Sequence, residues 1–361
     1  MVDFVEWLKL YNDSVEADKH DKVGFYGLDL YSLWESLEAI IKYLKGVDPS
    51  ALKNAMDAFN CFEPYDKDVE KYARATAFVP TNCEDEVIGI LTSLRSEYGV
   101  YSKVQQNKEE YFNAEQNAIT AKDAEKYYRT MMKGDVSSFN LRDTHMMDTL
   151  ERLINFHGQS NISNVMPKAI VWAHNTHIGD ARFTDMSKRG MISIGQLVRE
   201  KKGCQNAVLI GFSTYSGTVI ASREWGKKME RMDIPPAKDG SRDNLLHNLD
   251  KENVDEKDKD KLLIFPNQSN TYKSFQKNNY MYNDDDLEEN DGNKADRLRG
   301  QRAIGVVYNP ECERYANYVP TSLCERYDAL LFIDKTNALS PLHMQEIKDN
   351  KDPPETFPTG L

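Results

Sequence analysis

No run of the chain approaches the roughly 20 consecutive apolar residues that a membrane-spanning helix needs. The opening stretch, MVDFVEWLKLYNDS, is amphipathic and acidic, with no basic region ahead of an apolar one. A secretory signal is therefore not expected, and neither is a membrane partner. A basic surface is missing too. Across 361 residues, 46 Lys and Arg face 58 Asp and Glu, for a formal net charge of -12. Nucleic acid is excluded as the main partner, because phosphate backbones are met with basic stripes. Cysteine is scarce: Cys61, Cys83, Cys204, Cys312 and Cys324 are scattered, with no CxxC pair. Such an odd, sparse set predicts reduced thiols in a cytoplasmic protein.

Familiar catalytic signatures are also absent. No GxSxG elbow supports a serine nucleophile. There is no phosphate loop and no GxGxxG turn. Two histidines, His174 and His177, stand three apart, but no third His, Cys or HExxH arrangement joins them. Zinc catalysis needs three protein ligands, so neither a metal nor another cofactor is expected.

What is present reads as an α/β chain. Phe4, Val5, Leu8, Leu10 and Tyr11 give an apolar stripe at helical spacing, with Asp3 as the plausible cap. VGFYGL (23–28) is short, apolar and glycine-punctuated, and reads as a buried strand. A helix capped by Asp29 or Ser32 follows to about Leu44. From about Pro49 to Met132 the pattern is helical, and residues 30–135 read as a helical subdomain of antiparallel helices. A further helix is expected from about Asn140 to His157. After Pro167 the texture changes. KAIVWAH (168–174), NAVLIGF (206–212), TYSGTVIA (214–221), AIGVVY (303–308) and DALLFID (328–334) read as strands, with a helix at 194–201. Their alternation with helices predicts a mixed, largely parallel sheet flanked by helices. Residues 238–297 carry charge-rich runs such as DKENVDEKDKDK and NDDDLEENDGN, which read as a solvated, disordered insertion. The Pro-rich tail after Asn350 reads as irregular.

The chemistry concentrates in His174-Asn175-Thr176-His177-Ile178-Gly179-Asp180, placed directly after an expected strand. Ligand sites in open α/β sheets form just beyond the carboxyl ends of strands. Histidine exchanges protons near neutrality, and a carboxylate such as Asp180 can fix its tautomer. Equally, two histidines at this spacing can serve as a helix cap or a polar turn. A second cluster is Asn140-Leu141-Arg142-Asp143-Thr144-His145-Met146. There the guanidinium fork of Arg142 can hold a carboxylate or ester oxygen, or simply pair with an aspartate. His20, His157, His247 and His343 read as surface or structural.

These blocks resemble the erythromycin esterase family. The likeness runs through VGFYGLDLYSLWESLEAIIKYL, SSFNLRDTHMMDTL, VWAHNTHIGDARFTDMSKRGMISIGQLVRE, VLIGFSTYSGTVIAS, REWGKKMERMDIPPAKDGS, RAIGVVYNPECERYANYV and YDALLFIDKTNALSPL, in family order over most of residues 1–343. The resemblance implies a hydrolase of carboxylic esters or lactones. In characterised members the substrate is the lactone ring of macrolide antibiotics, so a part in resistance is implied. It further implies a histidine that activates water without a metal. His174 and His177 are the implied catalytic residues, and Arg142, Asn175 and Asp180 the implied substrate-binding ones. Members normally carry an upstream loop with a Glu and a His, and His20 does not match it. The expectation is one domain over 1–361 lacking its N-terminal part. The alternative is a catalytically inactive binding protein, or a truncated fragment of the family.

Overall fold

A computed structural model describes residues 2–15, 22–49, 51–65, 68–78, 82–97, 108–132, 136–159, 166–224, 227–249, 259–265 and 298–341. The N-terminal half is helical: α1 (Val2–Ser14), α2 (Leu33–Val47), α3 (Leu52–Phe62), α4 (Val69–Phe78), α5 (Glu84–Ser96), α6 (Lys108–Met131) and α7 (Ser137–Gln159). In α2, Leu33, Leu37, Ile40 and Leu44 are buried. Their spacing puts all four on one stripe, and each fully buried side chain of this size contributes about 1.5–3 kcal/mol. That stripe shares a core with Ala55 and Phe62 of α3, Val87 and Ile90 of α5, and Ala118, Ala121 and Tyr128 of α6. At its centre the Tyr72 hydroxyl donates to Glu125 Oε1 at 2.7 Å and accepts from the Cys83 amide at 3.0 Å.

The same core corrects the cysteine expectation. Cys61 of α3 and Cys83, at the N-cap of α5, form a disulfide across a separation of 22 residues, with Cα atoms 5.9 Å apart. No CxxC spacing signals such a bond, because the pairing follows from helix packing. Cys204, Cys312 and Cys324 are not disulfide-bonded among the described residues.

The second half is built on a mixed sheet: β1 (Ile210–Ala221), β2 (Glu230–Ile234), β3 (Lys261–Ile264) and β6 (Ala329–Thr336), in the order β2-β1-β6-β3. The central β1–β6 pair is parallel, and β2 and β3 add antiparallel edges. A two-stranded sheet joins β4 (Arg299–Arg302) to β5 (Tyr318–Thr321). The same half holds the short helix α8 (Asn175–Ile178) and α9 (Ile194–Lys202) ahead of β1, and α10 (Arg242–Asn248), α11 (Glu313–Ala316) and α12 (Leu323–Arg326) between the strands. An α/β fold with a mixed sheet flanked by helices is what the sequence pattern predicts.

Three expected strands differ. Residues 23–28 are irregular, and Val23, Phe25 and Tyr26 are exposed. The Asn12 side-chain amide takes both backbone groups of Val23, and Phe25 packs on Phe4 of α1 rather than into a sheet. Residues 168–174 join no ladder, and Ile170 and Trp172 are 97% and 88% exposed. No described element covers them. Residues 303–308 give a single bridge, Val307 to Ser222, while the strand lies earlier at 299–302. The ladder ends at Ala303, where Asn317 supplies both partners: its backbone oxygen accepts from the Ala303 amide and its side chain donates to the Ala303 oxygen.

The charge-rich stretch also holds structure. Residues 242–248 are α10, with Asp243 fully buried, and 261–264 are β3. Its remainder at 250–258 and 266–297, and the tail from 342, lie outside the described residues.

Alternation along β1 buries Gly211 and Ser213 on the face that carries Leu330 and Phe332. The opposite face presents Ile210 and Phe212, in register with Leu262 and Ile264 across β6, and all four are exposed.

Candidate active site

α7 joins the two halves. Its Met146, Met147 and Leu150 pack with Ile194 of α9, and another side of the helix meets α6. From α7 the Asp143 carboxylate, fully buried, reaches His177 of α8. Its oxygens lie 2.9 and 3.1 Å from His177 Nδ1. The same carboxylate accepts the Ile194 amide at 2.8 Å, at the first turn of α9. A helix N-terminus favours a negative charge there, so Asp143 stays an acceptor and Nδ1 of His177 is the natural donor. The His177 ring lies parallel to Phe139, with centroids 5.3 Å apart. Among the described residues nothing bonds Nε2 of His177. A histidine oriented through one nitrogen by a buried carboxylate, with the other nitrogen unbonded, is the arrangement of a general base.

His174 is placed otherwise. It caps α8, and its Nδ1 accepts from the Thr176 amide at 3.3 Å and from the Thr176 hydroxyl at 2.9 Å. Nε2 then donates to the Ile304 carbonyl at 3.0 Å. Surrounding protein, then the proximity of His177 and of Arg326, push its pKa down to about 4. The residue as a whole keeps an exposed face. Water can reach that face. His174 is neutral at pH 7, and both its nitrogens are committed.

Asn175 also has a scaffold role. Its side chain donates to the Phe212 oxygen at 2.6 Å and accepts the Phe212 amide at 3.1 Å, fixing α8 to the open edge of β1. Asp180 holds arginines and no histidine: Arg182 Nη2 at 2.6 Å and Arg199 Nη1 at 3.3 Å. The carboxylate that orients a histidine is thus Asp143. Arg142 turns away from His177. Its Nε and Nη2 hold Asp29 at 2.9 and 2.6 Å, and its guanidinium lies over the Tyr31 ring. Among the described residues Nη1 has no partner. The structure therefore gathers His174, Asn175, His177 and Asp180 on one turn and leaves Arg142 on a separate side of α7. Of the remaining histidines, His157 bonds the Tyr26 hydroxyl and His247 bonds Asp334, stacked on Tyr215; His20 and His343 lie outside the described residues.

No group of three or more His, Cys, Asp and Glu with the geometry of a metal site occurs among the described residues.

The comparisons decide the family. The erythromycin esterase family model matches residues 1–336. The chain belongs to the erythromycin esterase family. Three solved structures share its fold at low identity. A protein from Bacillus cereus is 18% identical, with a TM-score of 0.63, over 93% of this chain and 72% of its own. A succinoglycan biosynthesis protein is 19% identical, with a TM-score of 0.58, over 93% and 70%. A mutant of the erythromycin esterase EreC in its open conformation is 14% identical, with a TM-score of 0.53, over 92% and 72%.

In this erythromycin esterase family member, sequence reasoning passed over two residues that shape the site. Asp143 stood beside Arg142 and read as its ion-pair partner. The distinguishing fact is rotational: consecutive helix positions diverge by about 100°, so the two point to different neighbours. Arg326 lies under α8, 2% exposed. Its Nη2 donates to the Asn175 oxygen at 2.9 Å, and its Nη1 to Gln301 and Thr321. No carboxylate pairs with it among the described residues. A buried cation there disfavours the imidazolium of His174. No spacing rule flags Arg326, which lies about 150 residues from the turn it supports.

Proposed function

We propose that the chain hydrolyses carboxylic esters or lactones, with His177 as the base that activates water and Asp143 as its positioning residue. The observation that carries this reading is the buried Asp143–His177 pair, which leaves Nε2 unbonded among the described residues. Nε2 takes a proton from water, and the hydroxide adds to the ester carbonyl carbon. The tetrahedral intermediate collapses by breaking the acyl C–O bond. The proton on Nε2 passes to the leaving alkoxide, giving a carboxylic acid and an alcohol. A lactone yields the two on one opened chain. Asp143 steadies the transient imidazolium. His174, neutral and held through both nitrogens, fixes the turn rather than moving protons. Arg142, held by Asp29 on a separate side of α7, takes no part in this step, and Asn175 and Asp180 hold the frame.

Membership of the erythromycin esterase family supports a macrolide lactone as substrate, and protection of a cell from macrolides as the consequence. The reading is tested with the purified chain in buffer free of reductant, so that Cys61–Cys83 stays closed. A macrolide panel and simple aryl esters are followed by mass spectrometry for a gain of one water. The expected result is turnover that falls by about 10²–10⁴-fold in His177→Asn. Absence of turnover from folded protein over the whole panel favours the inactive binding protein. Equal turnover in the variant removes His177 from the mechanism.

A further inference from the structure

A second polar cluster lies on another side of α7, away from Asp143. There α5, α6 and α7 enclose a cleft of about 590 Å³. That volume is in the range of small-molecule sites, about 300–1,000 Å³. Its walls are unusual for a chain that carries a net charge of -12. Arg95, Lys122, Lys126 and Arg152 line it, against the carboxylates of Asp123 and Asp148. Much of this charge is compensated within the protein. Arg95 pairs with Glu115, Lys122 with Asp123, and Asp148 with Lys201. Asp123 is further occupied by Nδ1 of the buried His145 at 2.8 Å.

Two cations remain. Arg152 is half-buried, and its Nε and Nη2 bond only neutral oxygens, those of Gln116 at 2.6 Å and Thr149 at 2.9 Å. No carboxylate pairs with it among the described residues, and burial pulls its pKa down. The carboxylates of Asp148, Asp123 and Glu115 act on it only at longer range, and each is already paired with another cation, Lys201, Lys122 and Arg95. Lys126 stands exposed on the same wall with no side-chain partner among the described residues. The Thr144 hydroxyl is likewise unbonded there. Leu91 and Ile119 supply an apolar patch beside them.

We propose that this cleft is a binding site for a small organic phosphate monoester, with Arg152 and Lys126 on the phosphate, Thr144 donating a further hydrogen bond, and Leu91 and Ile119 against the organic group. Two uncompensated positive charges match a monoester, which carries about -1.5 to -2 at pH 7. The planar fork of Arg152 suits phosphate oxygens, and Lys126 serves as a point charge. The site is independent of the His177 reading, since it shares no side chain with it.

Titration calorimetry of the full chain with phenyl phosphate, at low ionic strength, tests this. One saturable site is expected, weakened at least tenfold in Arg152→Gln and in Lys126→Gln. Sodium chloride at matched ionic strength produces no such heat. Arg152 also holds Gln116 and Thr149, so its variant can lose structure. Lys126 is exposed, and Lys126→Gln keeps the fold and decides alone. Absence of saturable binding overturns the proposal, as does unchanged affinity in Lys126→Gln. Succinate binding as tightly as phenyl phosphate overturns the phosphate assignment.

Discussion

His174 and His177 sit one helical turn apart and are built for different work. His177 is oriented through one nitrogen; His174 is committed through two. The pKa of His174 is lowered to about 4, against an ordinary value near 6.5. The folded state therefore binds fewer protons than the unfolded chain between those values. Its contribution to stability is complete above about pH 6.5 and is lost as pH falls towards 4. After discounting for its exposed face, about 1–2 kcal/mol is at stake. Denaturant titrations at pH 7 and pH 4.5 should show this loss in the wild type, and a smaller one in His174→Gln. An equal loss in both would contradict the assignment. The chemistry-bearing turn was legible in the sequence because it packs titratable groups into seven residues. Its carboxylate partner was not, because Asp143 is joined to His177 by the packing of α7 on α8. The histidine-orienting role assigned to Asp180 fails for the same reason: Arg182 and Arg199 reach it first.

Among the elements, helices followed their periodicity closely, from the apolar stripe of α2 to α9 at 194–202. Strands did so only in part: 214–221 and 328–334 lie in β1 and β6, while 23–28, 168–174 and 303–308 do not form strands. Asn12, Asn175 and Asn317 each satisfy both backbone groups of one extended residue, at Val23, Phe212 and Ala303. At Val23 the side-chain amide supplies what a neighbouring strand would and the run stays outside a ladder, whereas at Phe212 it fills the open edge of β1 and at Ala303 the Asn317 backbone shares the task. Close approach matters as well. A Cβ on Gly195 would lie 2.1 Å from the Ile178 oxygen and 2.9 Å from the Gly179 oxygen. Gly195→Ala should push α9 from α8, breaking the Asp143 contact with the Ile194 amide. Turnover is expected to fall at least tenfold, with the melting temperature also lowered; wild-type values for both would refute the contact. In the helical half, reduction of Cys61–Cys83 should cost about 3 kcal/mol, given the loop it closes. Chemical denaturation with and without reductant, beside Cys61→Ser, measures it. A midpoint unmoved by reductant would show the bond absent.

At the scale of the whole molecule, the described residues cover the sheet on one face only. Ile210, Phe212, Leu262 and Ile264 leave large apolar side chains exposed on the other face, and Val208, Ile170 and Trp172 are exposed as well. Contiguous apolar surface of this kind favours association. The folded chain should bind an environment-sensitive dye such as ANS. Trp172→Ser with Leu262→Lys should reduce that signal at an unchanged melting temperature, whereas an unaltered signal would place the dye elsewhere. The family and the α/β class were readable over the whole length, since they rest on long ordered blocks. The bare face was not, because a continuous apolar run looks the same whether or not another layer covers it.

The central claim is that Asp143 and His177 act as one unit, and a double-mutant cycle tests it most directly. Ester turnover is measured for the wild type, Asp143→Asn, His177→Asn and the double variant, with the fold of each checked by circular dichroism. Groups that act as a unit are strongly non-additive. The account predicts that each single change lowers the rate and that the double variant is no slower than His177→Asn alone. Independent, multiplying losses, or a wild-type rate in either single variant, would contradict it.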